Sequence, residues 1–130
     1  ISEAVLDSAR AGIYGSYSIR NVSDDVLREF FTKENHHYRI SPKLKSMVRF
    51  QRINLIDKRE VGKIRGMDVI FCRNVLIYFD DKAKHRAVAN LYDSLRPGGY
   101  LIIGTSESLH NITRAFRPVI INRVIVYQKV

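Results

Sequence analysis

The sequence predicts an α/β fold whose sheet is parallel at first and antiparallel at its edge. Two continuous apolar runs, "MDVIFC" and "YLIIGT", have the character of strands covered on both faces by helices. The amphipathic stretch between them, "DKAKHRAVANLYDSL", supplies the crossover that parallel pairing needs. A closing segment, "RPVIINRVIVYQK", reads as two strands folded back at Asn122-Arg123, which makes the last pair antiparallel. With 130 residues, 45% of them hydrophobic, the chain fits one domain with a core of its own.

In order along the chain, "ISEAVLDSARAG" predicts a helix with Val5, Leu6 and Ala9 at helical spacing, Ser2 as its N-cap and Gly12 as its stop. "GIYGSYSIRNV" follows as loop. "SDDVLREFF" predicts a short amphipathic helix, capped by its Ser/Asp cluster and carrying Val26, Leu27, Phe30 and Phe31 on one side. Between residues 35 and 53 the period changes to alternation, in "HYRI" and "SMVRFQRI", with Pro42 breaking the run; this predicts a small antiparallel β element at 35–53. Asp80 or Asp81 caps the crossover helix, whose Ala87, Val88, Leu91 and Leu95 form the buried stripe, and "RPGG" ends it. "SESLHN" reads as a loop or a short helix.

The net charge is +9, spread through "SPKLKSMVRFQR" and "DKREVGKIR" rather than gathered in a tail. Such a field attracts anionic partners (nucleic acid, an acidic membrane face, an acidic protein surface), and it equally describes a solvated face that keeps a protein soluble. No apolar run approaches the ~18 residues of a membrane span, so no insertion is expected. The start shows no secretory pattern, and the single Cys72 excludes an internal disulfide; both point to a reduced thiol and a cytoplasmic location. His36, His37, His85 and His110 with one cysteine give no tetrahedral ligand spacing, so no metal site is predicted.

Ligands of open α/β sheets bind beyond the carboxyl ends of the strands. Three such ends carry polar residues: Asn54 to Asp57 in "INLID", Cys72-Arg73-Asn74, and "GTSES" at 104 to 108. They are expected to line one rim, with Asn54, Arg73 and Thr105 on a common lip. Arg73, always charged, must find an anion or reach water. It either orients an incoming carboxylate or pairs with Glu107 or Asp80. Asn54 either meets a ligand or closes a turn. Tyr78, in "LIYF", is by itself as much a core aromatic as a site residue. Glu107 is read as a residue that holds the rim rather than a catalytic acid.

The pattern "NLID", "DVIFCRNVLIYFD" and "LRPGGYLIIGTSESL" resembles the C-terminal part of the CheR family of chemotaxis-receptor methyltransferases. The joint occurrence of "FCRNVLIYF" and "SESL" is the specific part, and the likeness extends through "ARAGIY", "LREFF" and "VRFQRINL". The resemblance implies part of a Rossmann-like class I methyltransferase sheet with a small antiparallel β insertion. It also implies transfer of a methyl group from S-adenosylmethionine to receptor glutamates, with S-adenosylhomocysteine as product. Family members carry a glycine-rich cofactor loop and a ribose-binding acid ahead of the matching part. Residues 1–130 are therefore expected to be the C-terminal portion of the domain, without that loop, and to work with an N-terminal portion of the same enzyme.

By the same resemblance, Asn54, Leu55, Cys72 and Arg73 bind the cofactor, and Arg73 and Tyr78 serve catalysis. The expected partners are receptor cytoplasmic helices rather than nucleic acid. A sheet edge left uncovered invites association, including with a second copy. The β insertion is the family's receptor-facing subdomain; "TKENHHYRI", compact and glycine-free, predicts an enzyme that does not dock a receptor tail peptide. The alternative is a non-catalytic module of the same fold that docks a partner or binds nucleic acid.

Overall fold

The computed structural model describes residues 2–130, which divide into an N-terminal unit ending at Arg52 and a C-terminal unit running from Ile53 to Val130. The architecture is mixed α/β, with one sheet in each unit.

The N-terminal unit opens on α1 (Glu3–Ala11). Ser2 Oγ accepts the Val5 N–H at 3.1 Å, and Gly12, at φ +67°, closes the last turn by donating to the Ser8 carbonyl at 3.3 Å. The stretch expected as loop contains a three-residue strand, β1 (Ile13–Gly15), too short to show a period of its own. After α2 (Asp24–Phe30), capped by Ser23, the chain turns directly into β2 (Phe31–Glu34), so Phe31 belongs to a strand and not to the helix. β3 (His37–Ile40) pairs antiparallel with both β1 and β2, in the order β1-β3-β2.

The small antiparallel sheet is thus real, but its strands lie at 13–15, 31–34 and 37–40 instead of 35–53. Pro42 does not interrupt a strand; it opens a short helix, α3 (Pro42–Ser46), where its missing N–H costs nothing. The alternating "SMVRFQRI" pairs with no strand, and Met47 and Val48 are exposed.

In the C-terminal unit, α4 (Lys58–Val61) is capped by Asp57, which accepts the N–H groups of Arg59 and Glu60. β4 (Met67–Cys72) pairs parallel with β5 (Leu95–Ile103) through α5 (Asp81–Ser94), whose N-cap is Asp80. β6 (Phe116–Ile121) and β7 (Val124–Lys129) form the terminal hairpin, and the sheet order is β4-β5-β7-β6. The expected parallel-then-antiparallel sheet is therefore present.

"RPGG" lies inside β5 rather than between helix and strand. Leu95 pairs with Met67 and Tyr100 with Val69, so five steps along β5 match two along β4. Gly98 takes φ +84°, and a Cβ on Gly99 would stand 3.0 Å from three carbonyl oxygens.

One face of this sheet is packed: Cys72, Leu101, Ile103 and Tyr127 join Ala87, Val88 and Leu91 of α5 in one core, with Phe116 set edge-on against Tyr92 and Tyr127. The expectation that β4 is covered on both faces does not hold among the described residues, since Met67, Val69 and Phe71 are exposed and β4 has no partner on its outer edge.

Candidate functional site

The first expected strand end, "INLID", is not a strand. Asn54 Oδ1 accepts the Ile56 N–H at 3.2 Å, the Asn54 carbonyl accepts the Asp57 N–H at 3.0 Å, and Glu60 Oε2 accepts the Asn54 N–H at 2.9 Å. The segment is a turn that feeds α4, closed by its own polar groups. Leu55 and Ile56 are half-buried against the core, and Asn90 Nδ2 donates to the Leu55 carbonyl at 2.8 Å, strapping the turn to the middle of α5.

The second and third ends do meet. Where β4 runs out, Asn74 takes φ +60°, a conformation asparagine tolerates better than most residues. Glu107 holds the turn from across the sheet. Its Oε1 accepts the N–H groups of Asn74 at 2.7 Å and Gly104 at 2.8 Å, and its Oε2 accepts that of Ile77 at 3.2 Å. Glycine at 104 leaves room for this arrangement: a Cβ would fall 2.7 Å from Glu107 Oε1 and closer still to Asn74 Oδ1, so these side chains would have to shift. Glu107 thus joins the ends of β4 and β5 and the 3₁₀ turn Leu76–Tyr78, as the rim-holding reading anticipated.

An open cleft of about 500 Å³ lies on this rim, lined by Phe71, Arg73, Thr105, Glu107, Ser108 and Arg123 among others. Arg73 is exposed and forms no ion pair among the described residues, so neither Glu107 nor Asp80 neutralises it. Arg73 and Thr105 share the cleft; Asn54 and Leu55 do not line it. Tyr78, 81% exposed, stands on the turn that Glu107 braces.

Cys72 points the other way, into the core, and its thiol is pushed up from 9.0 to about 11, first by burial and then by the Glu107 carboxylate. It is protonated at neutral pH and contributes packing and backbone, not a nucleophile. Sequence reasoning noted Arg123 only as a turn residue. The signal that marks it is an arginine in a two-residue hairpin turn at φ +67°, a position that favours glycine.

Among the described residues, no group of three or more His, Cys, Asp or Glu is suited to a metal and no helix is long and apolar enough to cross a membrane. Counting residues 53–130 gives thirteen Lys and Arg against seven Asp and Glu, so the unit that carries the cleft has a formal charge of +6.

Comparison with known proteins matches residues 1–125 to the CheR methyltransferase SAM binding domain. The chain is 39% identical over 117 residues to chemotaxis protein methyltransferase 2 of Vibrio cholerae, covering 89% of this chain and 41% of that protein. It is 38% identical over 131 residues to a chemotaxis protein methyltransferase of Vibrio parahaemolyticus, covering 98% and 46%. With chemotaxis protein methyltransferase 1 of Pseudomonas aeruginosa the identity is 34% over 131 residues, covering 98% and 47%. The chain spans about half the length of the curated relatives it matches. A match over nearly all of the chain, on a sheet that is parallel at first and antiparallel at its edge as expected, places it in the CheR methyltransferase family, within a domain whose cofactor is S-adenosylmethionine.

Proposed function

We propose that the protein carrying this chain methylates glutamate side chains of chemotaxis receptors in the cytoplasm. The observation that carries the reading is Arg73: a guanidinium without an anionic partner, at the end of β4, on a cleft walled by Phe71, Ile102 and Ile125. Such a group selects a carboxylate and fixes its plane by charge-assisted hydrogen bonds.

The cofactor supplies an electrophilic methyl group on a sulfonium sulfur. A glutamate carboxylate, with an ordinary pKa of ~4.3, is already ionised at neutral pH, so its oxygen needs no general base. With the cofactor bound, one O–C bond would form as its S–C bond breaks, leaving a glutamyl methyl ester and S-adenosylhomocysteine, and no proton would move. What the chain contributes is alignment and exclusion of water.

Arg73 holds the acceptor carboxylate. Tyr78, which does not line the cleft around Arg73, is assigned to position the reacting groups from its exposed place on the turn that Glu107 braces. Asn54 keeps its Nδ2 donor available while Oδ1 is used in the turn, which suits an adenine ring nitrogen, and Leu55 offers the apolar wall. Cys72 and Arg73 line the cofactor through their backbone. The exposed face and edge of β4 are where the N-terminal portion of the same enzyme packs.

The test is methyl transfer from labelled S-adenosylmethionine to a receptor cytoplasmic fragment by the whole protein, read as base-released methanol. Arg73→Ala is expected to lower kcat/KM about a hundredfold, the scale of a lost charge-assisted contact to the reacting group. Calorimetry with S-adenosylhomocysteine, on the chain alone and on the whole protein, is expected to show strong binding only for the whole. Tight, salt-sensitive DNA or RNA binding without cofactor binding would instead establish a nucleic-acid module.

A further inference from the structure

The cleft contains a second guanidinium that the reading above leaves without a task. β5 and β7 pair antiparallel, with Tyr100 opposite Gln128 and Leu101 opposite Tyr127. Arg123 directly precedes β7, and Ile103, Thr105, Arg123 and Ile125 line the cleft together. β4 and β5 pair in parallel with Cys72 opposite Ile103, so Arg73 falls beside Gly104. Arg73 and Arg123 therefore stand on one rim at the ends of β4 and β7, with β5 between them.

Both side chains are exposed and both line the cleft, and neither forms an ion pair among the described residues. The one carboxylate of the cleft, Glu107, is already committed to three backbone N–H groups. A ligand with a single carboxylate would satisfy one of these cations and leave the other facing it. Arg123 also sits at φ +67°, following Asn122 at φ +47°, in a two-residue turn. A side chain other than glycine or asparagine is strained there, and no side-chain hydrogen bond of Arg123 within the described residues offsets it.

We infer that Arg123 is a specificity-determining residue that binds a second carboxylate of the acceptor, so that the preferred acceptor segment presents two acidic side chains to the paired guanidinium groups. One is held by Arg73 for methylation and the other is read by Arg123. This rests on the carboxylate-methylating reading of the cleft, and it adds a demand on the substrate that Arg73 alone does not impose.

The experiment uses the whole protein and synthetic acceptor peptides with one acceptor glutamate. A second acid is placed one, three or four residues away, or replaced by glutamine. Wild type is expected to favour at least one doubly acidic peptide, and Arg123→Gln to raise KM for that peptide about tenfold, the scale of one lost charge-assisted contact, with kcat within about twofold. KM for the singly acidic peptide should stay within about twofold, and Arg123→Lys should recover part of the preference. Should Arg123→Gln fail to fold, Arg123→Asn, whose side chain suits the positive φ, carries the same test. Wild-type discrimination that survives in Arg123→Gln, or methylation of all peptides without discrimination, overturns the inference and leaves the carboxylate-methylating reading standing. If wild type binds S-adenosylhomocysteine but methylates no peptide and no receptor fragment, the functional reading itself fails and takes the inference with it.

Discussion

Two turns of the C-terminal unit solve the same problem in different ways. In each, an asparagine leaves its backbone N–H exposed at a sharp change of direction, and a glutamate carboxylate accepts it. At Asn54 the acceptor is Glu60, six residues on, and the turn is completed by the asparagine's own side chain and by Asp57. At Asn74 the acceptor is Glu107, thirty-three residues on, and the same carboxylate also takes Gly104 and Ile77. The first turn closes from local chemistry. The second exists only once β4 and β5 are paired, and so it reports on the tertiary fold in a way the first does not.

The comparison is broken most directly by removing the long-range acceptor. Glu107→Ala leaves three backbone N–H groups without their partner and is expected to destabilise the protein by about 2–3 kcal/mol, read by urea unfolding. Gly104→Ala should cost about 1–3 kcal/mol, because its Cβ would enter the space of Asn74 Oδ1 and Glu107 Oε1. Asp57→Ala, which uncaps α4, is expected to cost about 1 kcal/mol. Glu60→Ala should cost the least, about 0.5–1 kcal/mol, since it frees one exposed N–H. Equal losses for Glu60→Ala and Glu107→Ala would erase the distinction between the two turns.

Cys72 sharpens it from the other side. With its thiol raised from 9.0 to about 11, iodoacetamide should label the folded protein slowly at neutral pH. Glu107→Gln should speed labelling, because one cause of the raised value is removed, whereas Glu60→Ala should leave the rate unchanged. The sign for stability follows. Below about pH 9 the thiol is protonated folded and unfolded alike; between 9.0 and about 11 the unfolded chain alone ionises, so stability falls as pH rises through that window.

The difference between the turns also explains what could be read ahead of the structure. Helix caps at Ser2, Ser23 and Asp80 were legible because a cap and the N–H it accepts lie three residues apart. The β6–β7 hairpin was legible because its register follows from the turn between two apolar runs. The strand boundaries of the N-terminal unit were not. The alternation in "SMVRFQRI" has the period of a strand, yet periodicity does not say whether a partner exists, and Pro42 reads equally as a break or as a helix start. β1 is a strand because β3 lies beside it, not because three residues show a pattern. The likeness to known methyltransferases was legible in motifs such as "FCRNVLIYF", whereas Arg123 was not legible as a site residue, because the cleft it shares with Arg73 comes from the order of three strands in the sheet.

Residue order alone determined α1 and α5, the apolar runs that become β4 and β5, the placement of Arg73 after a strand and the family of the chain, all of which depend on neighbours a few positions apart. Tertiary structure alone decided that Glu107 would brace the turn at Asn74, that Cys72 would be buried while Phe71 stays exposed, and that two arginines fifty positions apart would share one cleft. The reason is that a strand fixes which face each of its residues takes, but only pairing with another strand fixes what that face meets.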